Sequence, residues 1–376
     1  MAPRERIALI QMGAVHEELA PPFVDAILSL GHSAKVWLHP GSLASKGEVF
    51  DAYDAKDNPR ANKGKNKNYK VIYRRLIKEP SQEKLLKELK SDGIEHAFFL
   101  TLQNEWSVEL AQKLKRSGIK VTGIVHNVDK LKTSSVLQFW KENNQPSPIV
   151  LAEHVGNSLQ EELQINSKIV HSIFTPKQLQ ADKENLESPR QGHPYRLSIL
   201  GGVNFQSRNY EALINDLNQL PDDARKSISF TVAGGGKDRN ALIDLIHKKR
   251  LESNFQFAKI SPDSNRVKYD IYYQAIAASN AVLVLPGPGY AEKKITSALP
   301  SAITFGKPVI TSSSLSEIYG LSKQSISYSG ETINEAILKF LNTTLLEHFN
   351  TNERVQKYRQ DLLLSNVDSV KSFLAV

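Results

Sequence analysis

The chain has 376 residues, 40% of them hydrophobic and 23% charged, which is enough for more than one core and unlike the composition of a disordered polypeptide. It contains no cysteine, so disulfides and thiolate metal sites are excluded, and no run approaches the roughly 20 apolar residues that span a bilayer. The formal net charge of +8 suits an acidic partner: a nucleotide, a lipid headgroup or a nucleic acid.

The opening MAPRERIALIQMG lacks the long apolar core of a secretory signal, so a cytoplasmic location is expected. Strands are predicted at RIALIQM, SAKVWLH, YKVIYRR, HAFFLTL, KVTGIVHN, PIVLAEH and KIVHSIF. Helical patterns such as PPFVDAILSLGH, SQEKLLKELKSDG and SVELAQKLKRSG separate most of them. Apolar runs alternating with amphipathic helices imply a parallel sheet covered on both faces, a doubly wound α/β domain over residues 1–178. Within it, Lys56–Arg75 carries eight Lys or Arg against one Asp, with Asn, Gly and Pro between them. Such a segment reads as a solvated loop, or as a peripheral contact with an anionic membrane. Neither aromatic interleaving nor a known binding motif accompanies it, so nucleic acid is not expected as a partner.

A polar, proline-flanked stretch at 179–195 is the expected linker. The second domain, 196–355, then repeats the alternation: RLSILGG, SRNYEALINDL, ISFTVAGGG, NALIDLIHKK, VKYDIYYQAIAASN, AVLVLPGPG and SALPSAITFGKPVI. A strand that ends in Gly-Gly and leads into a helix brings bare backbone N–H groups to the carboxyl edge of the sheet, where diphosphates favour binding. Gly201, Gly202, Gly234 and Gly235 occupy such turns, and Arg208 follows Gly202 by six residues. A cation just before a helix is opposed by the macrodipole, which favours a ligand-binding reading of Arg208. PGPGYAEKKITS, with two Gly, two Pro and adjacent lysines, is composed like a shaped loop; Lys293 and Lys294 are candidate cations there and Tyr290 a candidate stacking surface. Residues 356–376 are expected to form terminal helices.

Taken in order, these segments resemble a GT-B glycosyltransferase, and in particular the large retaining family that includes mannosyl- and glucosyltransferases of bacterial polysaccharide assembly. The resemblance rests on MGAVHEELAPPFVDAILSLGHSAKVW, GGVNFQSRNYEALINDL, FTVAGGGKDRNALIDLI, YDIYYQAIAASNAVLVLPG, GKPVITSSSLSEIYG and NVDSVKSFLAV, spread over almost the whole chain. It implies two Rossmann-like domains facing a cleft, with the donor held by the second, the acceptor by the first, and a terminal helix crossing back to the first domain. It implies a nucleotide-diphosphate sugar as donor substrate, a glycan, lipid-linked or protein acceptor, and no metal or other cofactor, in keeping with the absence of an aspartate-rich metal motif.

By the same resemblance Arg208 clamps the diphosphate, Arg239 stands where the family has its next arginine, and Glu317 lies on the closing loop. His126 stands at a strand end where the family often has a histidine on the donor sugar. His16, Glu17 and Glu18 follow the first glycine turn at Gly13, where inverting GT-B enzymes keep a base; His16 is preferred, with Glu18 beside it. Gly13 and His154 are assigned to the acceptor side. One departure is plain: the family's two glutamates, with seven residues between them, are replaced by Lys293 and Ser301. Lys293, Lys294, Thr296 and Ser297 offer donors to a phosphate or an acidic sugar there. Retention and inversion are both left open. A sugar-nucleotide epimerase of the same fold and a non-catalytic nucleotide-sugar-binding partner subunit are the alternative functions.

Overall fold

The computed structural model describes residues 5–13, 15–39, 49–50, 74–75, 82–132, 134–142, 147–176, 194–261, 265–287, 295–329 and 332–375. They form two compact units. One comprises the described residues of 1–177 with Ile295 and 361–375, and the other those of 178–292 and 296–360.

In the first unit, strands β1 (Arg6–Gln11), β2 (Ser33–Leu38), β3 (Arg74–Arg75), β4 (His96–Phe99) and β5 (Lys120–Gly123) make a parallel sheet in the order β3-β2-β1-β4-β5. A bridge from Ile124 to Ile149 leads to a parallel pair, β6 (Ile149–Val150) and β7 (Lys168–Ile169). Helices α1 (Ala20–Ser29), α2 (Gln82–Ser91), α3 (Glu105–Arg116), α4 (Ser134–Glu142) and α5 (Glu153–Leu163) connect them. Strand β1 is buried along all but its first residue, as expected of a strand with helices on both faces. Local chemistry fixes the helix starts: Pro21 and Pro22 lie in the first turn of α1, where a missing N–H costs nothing, and Asn104 with Ser107 forms a capping box on α3.

The second unit contains strands β8 (Tyr195–Leu200), β9 (Ile228–Ala233), β10 (Phe255–Phe257), β11 (Ala281–Leu283), β12 (Val309–Ser312) and β13 (Ser325–Tyr328). They form one parallel sheet in the order β10-β9-β8-β11-β12-β13. Its helices are α6 (Tyr210–Gln219), α7 (Asp222–Lys226), α8 (Arg239–Lys248), α9 (Tyr269–Ala277), α10 (Ala298–Thr304), α11 (Ser313–Ile318) and α12 (Ile333–Asn342). Asp216 on α6 accepts from the N–H groups of Ile333, at a short distance, and of Asn334, at 3.1 Å, so a buried carboxylate caps α12 from another helix. A thirty-residue helix, α13 (Leu345–Leu374), ends the chain. Within the first unit its Asn366 exchanges hydrogen bonds with the backbone of His171, at 2.7 and 2.8 Å.

The α/β class with parallel sheets agrees with the pattern of the sequence. PIVLAEH is a correction, because the strand stops at Val150 and Glu153 already opens α5, so His154 lies in a helical first turn. The terminal helix begins at Leu345, earlier than residue 356. Of the basic segment Lys56–Arg75 only Arg74 and Arg75 are described, paired with Trp37 and Leu38; the rest, most of the 179–195 linker, Tyr290, Lys293 and Lys294 lie outside the described residues. No described helix is long and apolar enough to cross a membrane.

Phe230 is fully buried and stacks on Phe255 with ring centroids 5.0 Å apart. Replacing it with alanine should cost about 3–5 kcal/mol of folding stability, read as a lowered urea midpoint with an unchanged slope. A loss below about 1 kcal/mol would mean that this core collapses around the gap.

Candidate active site

Both sheets reverse strand order beside their first strand, between β1 and β4 in one unit and between β8 and β11 in the other. In open α/β sheets ligands bind outside the carboxyl ends of the strands at such a point. Each unit presents its own set of groups at that edge.

In the second unit the loop after β8 carries Gly201 at φ +84°. That backbone conformation favours glycine, and a Cβ there would lie 2.3 Å from Nη2 of Arg208 and push the guanidinium aside. Arg208 Nη1 donates to the carbonyl of Gly202 at 2.8 Å, which holds the cation over the turn. Asn209 caps α6 by accepting from the N–H of Ala212 at 3.1 Å, which fixes where that cation stands relative to the helix start. From β11 the backbone N–H of Gly287 donates to the carbonyl of Ser207 at 3.0 Å and closes the other side of the loop.

The run Gly234–Gly236 has a different task from the one the sequence suggests. Gly234 and Gly235 are buried, and a Cβ on them would lie 1.9 Å from the carbonyl oxygens of Gly201 and Asn265 respectively. Their missing side chains let two turns of backbone pack on one another, so they support the outward-facing turn from behind. Arg239 belongs to the same support. It is buried, donates to the carbonyls of Gly234, at 2.5 Å, and Ala258, at 2.7 Å, and lies over the ring of Phe257. Arg239, at the start of α8, is thus spent on carbonyls at strand ends, leaving Arg208 as the cation beside the turn.

Thr296 is buried, with its N–H bonded to the hydroxyl of Tyr319 at 2.9 Å, so its side chain does not face outward as a phosphate donor would. Ser297 is the N-cap of α10 without a side-chain capping bond, and Glu317 is exposed on α11. Ser301 accepts from Tyr272 Oη at 3.4 Å.

In the first unit the edge gathers two histidines. His16 adopts φ +74° just before the short 3-10 turn Glu17–Leu19, and its ring stacks on His126 with centroids 4.4 Å apart and planes 18° from parallel. Nδ1 of His16 lies 3.4 Å from Oε1 of Glu18. His126 follows β5 and is 9% exposed. Its Nε2 lies 2.8 Å from the carbonyl of Leu100 and 3.1 Å from Oγ1 of Thr101, both at the end of β4. A carbonyl can only accept, so Nε2 carries the proton and Nδ1 is left as the acceptor of the neutral ring. Burial, and then the neighbouring His16, push His126 down to about 4, so this ring is neutral near pH 7. Gln103, which the sequence reading missed, accepts from the N–H groups of His126 at 2.9 Å and Asn127 at 3.3 Å and so sets the direction of this loop. No motif announces it, since its partners come from another strand. Glu17 is fully buried and Gly13 lies within reach of the Gln11 side chain. His154 is at the start of α5, on the carboxyl side of β6. Among the described residues no three His, Asp or Glu gather as a metal site.

No family model matches the chain, and no curated protein matches it. Solved structures do. The chain superposes on a sucrose-phosphate synthase from Thermosynechococcus elongatus with a TM-score of 0.60 and 15% identity, covering 99% of this chain and 100% of that one. A glycosyltransferase from Rickettsia africae gives 0.62 and 13%, covering 99% of each chain. WaaG, a glycosyltransferase involved in lipopolysaccharide biosynthesis, gives 0.52 and 15%, covering 98% of this chain and 99% of that one. Coverage of both chains end to end shows that this chain has the GT-B glycosyltransferase fold.

Gly234→Ala should destabilise by about 3 kcal/mol or more, because backbone and not a flexible side chain opposes the new methyl; an unchanged Tm would contradict the packing of the two turns. A second expectation concerns acid. Burial pushes His96, His126 and His171 each down to about 4, so the unfolded chain takes up protons near 6.5 that the folded protein refuses. The stability they confer is complete above pH 6.5 and is lost as pH falls from there toward 4. Urea unfolding between pH 7.5 and 4 should show this decline, and a flat profile would contradict it.

Proposed function

We propose that this chain is a glycosyltransferase that moves a sugar from a nucleoside-diphosphate sugar to a hydroxyl of a glycan, lipid-linked or protein acceptor. The observation that carries the reading is the outward turn of Gly201–Gly202, bare of side chains, with the Arg208 guanidinium held over it. Departure of the donor's diphosphate leaves negative charge on the leaving oxygen, and a fixed cation with backbone dipoles stabilises that charge where it develops. The GT-B fold supports the same chemistry.

On the acceptor side, His16 fits the role of base. Glu18 lies on the Nδ1 side of its ring, an arrangement that leaves Nε2 to accept a hydroxyl proton. His126, held neutral with Nε2–H on Leu100, presents Nδ1 as an acceptor to a sugar hydroxyl. No metal is assigned a step: the cation of the leaving group is Arg208, and turnover is expected to continue in a chelator.

A thermal-shift panel of nucleoside diphosphates tests the donor half, since a ligand that binds only the folded state raises Tm. One or more should stabilise the protein, and Arg208→Ala should weaken that ligand at least tenfold, the scale of about 1.4 kcal/mol for one charge-assisted contact. No stabilisation by any nucleoside diphosphate would remove both the transferase and the epimerase readings. For the acceptor half, His16→Ala should lower kcat by about 10²–10⁴ with inversion at the anomeric carbon; retention would remove the base. Free epimer formed without any acceptor would favour the epimerase.

A further inference from the structure

Both rings of the histidine pair are set by backbone that an amide side chain grips. For His126 the amide is Gln103, which accepts from the His126 N–H at 2.9 Å. For His16 it is Gln11, the last residue of β1, whose Nε2 donates to the carbonyl of Val15, the residue just before His16. Gln11 is anchored in turn by its neighbours in the sheet. Its backbone carbonyl accepts from the N–H of His39 at 3.0 Å, and that of Ile10 from the N–H of Leu100 at 2.9 Å. Leu100 therefore joins the two halves of the site, because its own carbonyl holds Nε2 of His126 at 2.8 Å.

Two local choices in this loop are unfavourable by themselves. Gln11 is 1% exposed, and its Oε1 is buried with no hydrogen-bond partner among the described residues. A carbonyl only accepts, so the amide can meet Val15 only through Nε2, and Oε1 has to face the other way. His16 sits at φ +74° and ψ 21°, a left-handed conformation uncommon for a residue with a Cβ. A buried acceptor without a donor and a left-handed residue other than glycine both work against folding. What they yield together is the stack: the chain is held at Val15, turns at His16, and enters the 3-10 turn with the Leu19 N–H on the His16 carbonyl at 3.2 Å. The His16 ring then lies on His126 at 4.4 Å.

We infer that Gln11 is the positioning residue of the histidine pair: through the Val15 carbonyl it holds His16 in the conformation that lays its ring on His126. Gln11 takes no proton and acts through the loop. Its bearing on catalysis rests on the reading of His16 as the base, whereas its hold on the stack does not.

NMR of histidine-labelled protein reads the stack directly, since each ring shields the protons of the ring it covers, and His16→Ala identifies the His126 signals by releasing them. Gln11→Met keeps the volume, drops the N–H and removes the buried oxygen. In that variant the His126 signals should move most of the way to their His16→Ala positions while Tm does not fall. Its kcat should drop about ten- to a hundredfold with the donor KM unchanged, the scale of a misplaced catalytic group. Gln11→Glu has the same shape and offers Val15 only acceptors at neutral pH, so it should release the signals as well. His126 signals that stay shielded in both variants would overturn the proposal, and so would a lowered Tm in Gln11→Met, which would make Gln11 a support of the core. Released signals with an unchanged kcat would uphold Gln11 as the holder of the stack and remove His16 as the base.

Discussion

The second unit depends on backbone packed against backbone. The Cα of Gly234 sits where a single methyl would come within 1.9 Å of the Gly201 carbonyl, and Gly235 stands in the same relation to Asn265. This approach determines the shape of the β8 loop, and the loop in turn determines where Arg208 can rest. Arg239 reinforces the arrangement from within by donating to two strand-end carbonyls. The cation in the core thus serves geometry, and the cation at the edge is the one that the proposed function assigns to the diphosphate.

The two units share one topology and carry different side chains at its carboxyl edge. Both place the reversal of strand order beside their first strand, and both spend the adjoining loops on polar groups. In one the groups are glycines and an arginine, suited to a diphosphate; in the other they are stacked imidazoles, suited to hydroxyls and protons. In the stack His126 is buried with its Nε2–H committed to Leu100, and His16 is the more exposed ring of the pair.

Much of this was legible in the sequence because strand and helix periods are local. Continuous apolar runs announced β1, β8 and β9, and glycine pairs marked the turns at 201–202 and 234–235. Which pair faces outward was not legible, since burial of Gly234 is a property of the neighbouring loop. The same limit applies to Arg208 and Arg239: each follows a glycine pair, and only the fold separates the edge cation from the core one. Short strands such as β10 and β13, of three and four residues, have too few positions for a pattern to show. The stacking of His16 on His126 joins residues far apart in the chain, and the support of Gln103 crosses strands, so neither leaves a local signal.

The most direct measurement is a crystal structure of the protein soaked with the nucleoside diphosphate that most raises its Tm. The account predicts the diphosphate against the backbone of Gly201 and Gly202, with the Arg208 guanidinium on its oxygens. A diphosphate bound elsewhere, with Arg208 still donating only to Gly202, would contradict it.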